Sequence, residues 1–129
     1  MENSVKTAGL SPSPSIKIKR AYEPSEPSDG YRIYIDRLWP QGLSHQTFTY
    51  DLWDKNISPS TQLREFLHAD PAKNWPEFIS KYKSEIKNNP DFERLKQVVR
   101  EHKTVTLLYS SRNETENNAV VLRDALMEG

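Results

Sequence analysis

Two neighbouring residues, Asp36 and Arg37, have the clearest potential for chemistry in this sequence. They close an apolar run that predicts a strand. A carboxylate at such a position can act as a general base or orient a reactant, and a guanidinium can hold a phosphate or carboxylate. The two can also form a structural ion pair at the strand end, an arrangement that is common and needs no catalysis. Asp36 and Arg37 are thus the candidate catalytic residues, with both interpretations open.

A second candidate is the segment 110–115, SSRNET, which links a predicted strand to a predicted helix. Unpaired backbone amides and the helix dipole favour a bound anion at such a position. The segment contains no glycine, so it is neither a P-loop nor a dinucleotide-binding fingerprint. Simple capping of the helix by Asn113 explains the segment equally well.

Aromatic, histidine and basic residues offer further candidates. Trp39 lies in a Pro-Gly loop after a strand end and can contact a ligand, whereas Trp75 falls on the apolar stripe of a helix. The three histidines share neither a helical ligand spacing nor an element, so no metal site is predicted, and no cofactor is identified. Lys55 and Arg64 flank a helix start and can add positive charge, although such residues usually face solvent.

The composition restricts the function further. The chain has 129 residues, which fits one domain, and its 18 basic and 18 acidic side chains argue against general nucleic-acid binding. It has no cysteine, which excludes disulfides, thiolate nucleophiles and cysteine-rich zinc sites. No apolar stretch suits a membrane span or a secretion signal, so we expect a cytosolic protein without a membrane partner. The oligomeric state is not indicated.

The elements that would position these residues follow from the pattern along the chain. Segment 1–15 is rich in serine and proline and predicts a disordered tail, which leaves residues 16–129 as a single domain. Apolar residues alternate with lysines over 16–20 and predict a half-buried strand. The link 21–30 contains two prolines, which favour a turn and exclude a helix.

Three later segments have strand character. Residues 31–37 predict a strand that is packed on both faces, and residues 104–110 a strand in the middle of a sheet. The stretch 47–53 fits either a short edge strand or an ordered loop.

Capping residues and apolar spacing predict the first two of four helices. Ser58 or Ser60 can cap the first. Asn74 and Glu77 form a capping-box pattern ahead of the second, whose apolar residues recur every three or four positions.

Two more helices follow. Asn89 and Pro90 open the third, and Asn113 with Glu116 is expected to cap the last.

This order of elements predicts an α/β fold. We expect a small, mainly parallel sheet of three to four strands flanked by about four helices, in a three-layer, Rossmann-like arrangement. The strands at 31–37 and 104–109 should pair in parallel through a right-handed crossover. The orientation of the first strand stays open, because its ten-residue link is long for a hairpin and short for a crossover.

Ligands of open α/β sheets bind beyond the carboxyl ends of the strands. Side-chain alternation places Arg20, Arg37 and Tyr109 at the ends of core-facing rows. If all three strands are parallel, these residues converge on one rim with Asp36 and Ser110, an arrangement that suits an anion. If the first strand is antiparallel, Arg20 leaves the set.

Three motifs resemble the YeaO-like family, DUF488, a domain of unknown function. They are DGYRIYIDRLWPQG, WDKNISPSTQLREFLH and TLLYSSRNETENNAVVL, in the family's order and spacing, and the resemblance covers residues 16–127. It implies one small α/β domain of bacterial type, and no reaction, because the family has no established activity. Gln41 departs from the family's WPRG pattern, which weakens any proposal that a charge in this loop is essential.

The resemblance also implies a set of polar motif positions. They are Arg20, Asp29, Arg32, Asp36, Arg37, Trp39, Lys55, Ser60, Arg64, His68, Tyr109, Ser110, Asn113 and Asn117. Several coincide with the strand-end residues. The resulting ligand-binding candidates are Arg20, Arg32, Trp39, Lys55, Arg64, Tyr109, Ser110, Asn113 and Asn117.

Two hypotheses about function follow. The favoured one is a site for an anionic small molecule, a phosphate or a carboxylate, in which Arg20 and Arg37 hold the anion and Asp36 is the candidate base of an enzyme. The alternative is a regulatory domain without catalysis that binds a protein or a nucleic acid through a basic surface. That surface would comprise Lys17, Lys19, Arg20 and Lys55.

Overall fold

The computed structural model describes residues 14–128, so nearly all of the predicted tail lies outside the described residues. The described strands are β1 (Ser15–Arg20), β2 (Tyr31–Tyr34), β3 (Leu52–Trp53) and β4 (Thr104–Tyr109). The described α-helices are α1 (Thr61–Ala69), α2 (Pro71–Lys87), α3 (Asp91–Arg100) and α4 (Asn118–Glu128). Single 3₁₀ turns occupy Pro27–Asp29 and Lys55–Ile57.

The strands form one parallel sheet in the order β1-β4-β2-β3, which confirms the predicted α/β fold and the central position of β4. The open question about β1 is settled, because it pairs in parallel with β4 from Ser15 opposite Thr104 to Arg20 opposite Tyr109. β1 and β2 are not neighbours, so their ten-residue link runs back across β4 from the carboxyl edge of the sheet to the amino edge. On the way, the Asp29 carbonyl accepts a hydrogen bond from the Thr106 hydroxyl of β4 at 2.7 Å. The carboxyl ends of β1, β2 and β4 therefore lie at the same edge.

Two strands are shorter than predicted. β2 ends at Tyr34 rather than at residue 37, although the Ile35 amide still donates to the Leu108 carbonyl at 3.1 Å. β3 is confined to Leu52–Trp53, so the stretch 47–53 is mostly loop with a short edge strand at its end. The link 21–30 contains the one-turn 3₁₀ helix Pro27–Asp29, so the prediction that its prolines exclude a helix was wrong for this short segment.

Two helix starts are confirmed. Ser60 caps α1, since its hydroxyl oxygen accepts a hydrogen bond from the Leu63 amide at 3.2 Å. The Glu85 carboxylate in turn accepts from the Ser60 amide at 2.9 Å and from its hydroxyl at 2.6 Å, which fixes α1 against α2. α3 begins directly after the predicted Asn89-Pro90 pair.

The predicted cap of α2 is wrong. The helix begins at Pro71, four residues earlier than Trp75, because Asp70 caps it and proline is well tolerated in a first turn. Asn74 lies inside the helix, where its side-chain amide donates to the Phe66 carbonyl of α1 at 2.7 Å. The predicted apolar stripe is present, because Phe78, Tyr82 and Ile86 are buried.

The predicted cap of α4 is also displaced. Asn113 does not begin the helix; its side-chain oxygen accepts from the amides of Thr115 at 3.1 Å and Glu116 at 2.8 Å and so closes a separate turn. α4 begins at Asn118, and the side-chain oxygen of Asn117 accepts from the Val120 amide at 3.1 Å. Asparagine suits both turn and cap, and the second asparagine supplies the helix cap.

The two faces of the sheet are covered differently. Side chains such as Ile33 and Leu107 pack against apolar residues from all four helices. On the opposite face, Tyr34 and Leu108 pack against an aromatic cluster from the loops, which includes Phe48 and Tyr50. The layer on this second face is thus made by loops rather than helices. Within residues 14–128, no helix has the length and apolar character needed to cross a membrane.

Candidate functional site

A half-open cavity of about 860 Å³ lies at the carboxyl edge of the sheet. Its walls come from the segments that follow β1, β2 and β4, together with α1, the start of α4 and Phe78 of α2. The polar side chains that the sequence predicted and that line it are Arg20, Asp36, Arg37, Arg64, His68, Ser110 and Asn117. Residues from strands that are far apart in the chain meet here because all three strands are parallel.

Asp36 is held by hydrogen bonds from two other elements. One carboxylate oxygen accepts from the Ser110 amide at 2.8 Å and from the Ser110 hydroxyl at 2.6 Å. The other accepts from the side-chain amide of Asn118 at 2.8 Å. Asp36 therefore joins the ends of β2 and β4 to the start of α4, and within the described residues it forms no ion pair with Arg37.

Arg20 is oriented by two contacts at the end of β1. Its Nε donates to the Ser111 carbonyl at 2.8 Å, and its guanidinium carbon lies 4.7 Å from the centre of the Tyr22 ring. The Tyr22 hydroxyl donates to the Gln41 carbonyl at 2.8 Å, which fixes the ring. Because Nε is the group that binds the loop, the two terminal nitrogens of Arg20 are available to an anion.

Arg37 and Arg64 belong to the wall beside α1. Arg37 is exposed, and its Nη2 donates weakly to the Pro59 carbonyl at 3.4 Å. Arg64 lies in the first turns of α1, where its amide donates to the carbonyl of the capping Ser60 at 3.0 Å. The cap, itself fixed by Glu85, therefore sets where Arg64 enters the cavity.

The cavity has an excess of positive charge. Four arginines line it, Arg20, Arg37, Arg64 and Arg112, and within residues 14–128 none of them forms an ion pair. The two lining acids are Glu116 and Asp36, and the carboxylate of Asp36 is already occupied by hydrogen bonds. Unpaired guanidinium groups at a concave surface bind phosphates and carboxylates well.

One wall of the cavity is apolar. Trp39 lies on this wall, stacks on His45 with ring centres 3.9 Å apart, and donates from its indole nitrogen to the Leu43 carbonyl at 2.6 Å. Leu38 is beside it and is 66% exposed. An anionic ligand with an apolar part would find contacts for both parts.

Arg32 does not reach this cavity. Its side chain is buried and binds the Asp29 carboxylate and the Thr49 carbonyl. Lys19 binds the same carboxylate at 3.0 Å. Burial alone would raise the pKa of Asp29, but hydrogen bonds from the Glu26 amide, Lys19 and Arg32 hold that pKa below its ordinary value. Arg32 therefore belongs to a buried structural network.

Three other predicted ligand-binding residues also lie outside the cavity wall. The Lys55 ammonium sits over the Trp53 ring, 4.2 Å from its centre. Tyr109 is buried in the core behind the wall, and burial raises the pKa of its hydroxyl. Asn113 shapes the turn before α4 through its own side chain.

The basic surface of the alternative hypothesis is largely engaged within the chain. The Lys17 ammonium donates to the Ser28 carbonyl at 2.7 Å, and Lys19 is bound by Glu26 and Asp29. Arg20 faces the cavity instead.

Sequence reasoning missed several wall residues. Tyr22 and Asn118 were not selected, although Tyr22 follows Arg20 by two residues and Asn118 follows Asn117 directly. Arg112 was included only as part of the candidate segment 110–115. Proximity to a predicted strand end or helix start was the available signal for each. Among the described residues, no cluster of three or more His, Cys, Asp or Glu side chains could hold a metal ion.

The chain is similar to known proteins over nearly all of the residues that the structure describes. A family model described as the inactive DUF488-N3 subclade matches residues 15–129. The chain is similar to the uncharacterized protein YeaO of Escherichia coli, with 42% identity over 113 residues, which are 87% of this chain and 96% of that protein. Uncharacterized proteins of Mycobacterium bovis and Mycobacterium tuberculosis are each 31% identical over 111 residues, 86% of this chain and 92% of theirs. No solved structure matches the chain.

Proposed function

Because this chain belongs to the DUF488 family and matches its inactive N3 subclade, we propose that it binds an anionic small molecule at the strand ends without transforming it. The observation that carries this proposal is the group of arginines without acidic partners around one cavity. Four guanidinium groups from four different segments repel one another, and a bound anion removes that repulsion.

The environment of Asp36 supports binding over catalysis. A general base must reach a proton of the substrate, within about 2.6–3.2 Å or through one water. Both oxygens of Asp36 instead accept hydrogen bonds from Ser110 and Asn118. Its role in the proposal is to hold the cavity wall in place, and the description of the matched subclade as inactive agrees with this assignment.

A thermal-shift experiment tests the proposal. The protein is melted with a panel of phosphorylated metabolites, nucleotides and carboxylates, in wild-type and Arg37→Ala forms. A ligand at about 100 times its Kd stabilises the folded state by about 2.7 kcal/mol. We expect at least one anion to raise the Tm of the wild type more than that of Arg37→Ala, and equal or absent shifts would contradict the proposal.

The same panel separates binding from catalysis. Each stabilising compound is incubated with the protein and then analysed for products by mass spectrometry. Intact ligand is the expected result, and turnover that Asp36→Asn abolishes would restore the enzymatic interpretation. A cytosolic location stays a prediction.

A further inference from the structure

We propose that the ligand of this cavity carries at least two separated anionic groups, an inference that rests on the anion-binding function proposed above. The cavity arginines are attached to two different walls, and each wall presents two of them. One anionic group would bind at each wall.

The first wall is the loop after β4. Arg20 is tied to it through the hydrogen bond from Nε to the Ser111 carbonyl at 2.8 Å, and Arg112 is the next residue of that loop. The stacking of Arg20 on Tyr22 limits its rotation, so its terminal nitrogens keep one direction. A guanidinium fixed in this way loses little entropy when it binds a phosphate or carboxylate.

The second wall is the segment that leads into α1. Arg37 contacts the Pro59 carbonyl, and the next residue is Ser60, the cap of the helix that carries Arg64. Glu85 holds Ser60 with two hydrogen bonds, so its carboxylate is used at the cap rather than beside Arg64. The second pair of guanidinium groups is therefore positioned independently of the first.

Charge and size both exceed what one phosphate needs. Four arginines face two acids, Glu116 at the wall and the hydrogen-bonded Asp36. The cavity volume of about 860 Å³ lies in the range of pockets that hold whole organic ligands, about 300–1,000 Å³. A single phosphate would occupy one wall and leave the other pair of arginines without a counterion. A ligand with two anionic groups satisfies both walls.

Isothermal titration calorimetry at constant ionic strength tests this inference. Inorganic phosphate is compared with tripolyphosphate, and a parallel series of acetate and citrate distinguishes phosphate from carboxylate recognition. The proteins are the wild type, Arg20→Ala and Arg64→Ala, with Arg100→Ala as a control that removes the same charge from the end of α3, outside the cavity. Circular dichroism confirms that each variant is folded.

In at least one series, we expect the larger anion, tripolyphosphate or citrate, to bind about tenfold tighter than phosphate or acetate. The reason is that a second charged contact contributes about 1.4 kcal/mol or more. Arg20→Ala and Arg64→Ala should each remove most of this advantage, and Arg100→Ala should retain it. Equal affinity for small and multivalent anions would overturn the two-group inference and leave anion binding standing. An advantage that survives both cavity variants, or falls equally in Arg100→Ala, would also overturn it. Absence of binding in both series would overturn the proposed function itself.

Discussion

Ser110 donates twice to the same carboxylate oxygen of Asp36, from its amide at 2.8 Å and from its hydroxyl at 2.6 Å, although the two residues are 74 positions apart. This contact joins the ends of two neighbouring strands at the cavity. Asn118 adds a donor to the second oxygen at 2.8 Å. A carboxylate surrounded by donors in this way stabilises the fold.

Asp36→Asn should therefore destabilise the protein. The new side chain has an amide nitrogen in place of one oxygen. This nitrogen is a donor, and it would face the donor groups of Ser110 or Asn118. We expect a loss of about 1–3 kcal/mol in the free energy of unfolding, measured with urea. Asp124→Asn, an exposed change on α4, is the control and should have little effect. Unchanged stability of Asp36→Asn would show that the three hydrogen bonds contribute nothing.

The neighbouring carboxyl groups of Asp54 and Asp91 should make the stability of the protein depend on pH. Burial and then the neighbouring Asp91 carboxylate raise the pKa of Asp54 to about 7. Asp91 is buried, and its Oδ2 has no hydrogen-bond partner among the described residues, which suits a proton donated by Asp54. Burial would raise the pKa of Asp91, but hydrogen bonds from Asp54 and Arg94 lower it.

The sign of the effect follows from proton binding. Between about pH 4 and 7 the folded state holds a proton on Asp54 that the unfolded state releases, so the stabilisation that this proton contributes is complete at about pH 4 and below and is lost as the pH rises through about 7. Asp54→Asn supplies a permanent donor to Asp91 and should remove this loss. Because Asp54 is only half-buried and solvent screens it, we expect a difference of about 1 kcal/mol between pH 5 and pH 8.

Urea unfolding at these two pH values measures that difference. Glu93→Gln, which removes an exposed carboxylate from the same helix as Asp91, should keep the wild-type dependence. If Asp54→Asn shows the same dependence as the wild type, the two carboxyl groups do not share a proton.

Substitution of Arg32 should cost much more stability than substitution of Arg37. Arg32→Ala leaves the Thr49 carbonyl without its donors and the buried Asp29 with only Lys19 as a counterion, so we expect a loss of about 3 kcal/mol. Arg37→Ala removes an exposed side chain with one weak hydrogen bond and should change stability by about 0.5 kcal/mol or less. Chemical denaturation measures both, and equal losses would contradict the separation of structural and cavity arginines.

Two glycines with positive φ form a further matched pair. Gly30 has φ 65°, and an added Cβ would lie 2.3 Å from the Thr104 carbonyl oxygen of β4. Gly42 has φ 86°, but an added Cβ would meet no atom within 4 Å. Gly42→Ala should cost about 1–2 kcal/mol for its backbone conformation alone. Gly30→Ala should cost clearly more, or prevent folding, because the backbone of β4 must also move.

Thermal unfolding monitored by circular dichroism compares these two variants. A similar Tm for both would show that β4 can move away from residue 30 at little cost.

Short-range patterns in the chain account for much of the fold. The apolar run at 104–109 predicted a central strand, and the alternation at 16–20 predicted a half-buried one. The spacing of apolar residues predicted which face of a helix packs against the core, as for Phe78 and Tyr82 of α2. The errors concern ends: the starts of α2 and α4 and the end of β2 each depend on which of several competing hydrogen bonds forms, as with Asn113 and Asn117.

The sequence by itself determined the α/β class and which polar residues follow each apolar run, because apolar spacing and the polar residues that interrupt it are properties of neighbours along the chain. Tertiary structure decided which of those ends meet. It brought Arg20 and Arg37 to one cavity, directed Arg32 into a buried network with Asp29, and occupied Asp36 with donors from distant segments. The positions of Arg20 and Asp36 depend on strand order and on contacts between residues about 70–90 positions apart. Arg32 and Asp29 are close in the chain, but Arg32 also binds the Thr49 carbonyl of a later loop. No local pattern encodes these tertiary contacts.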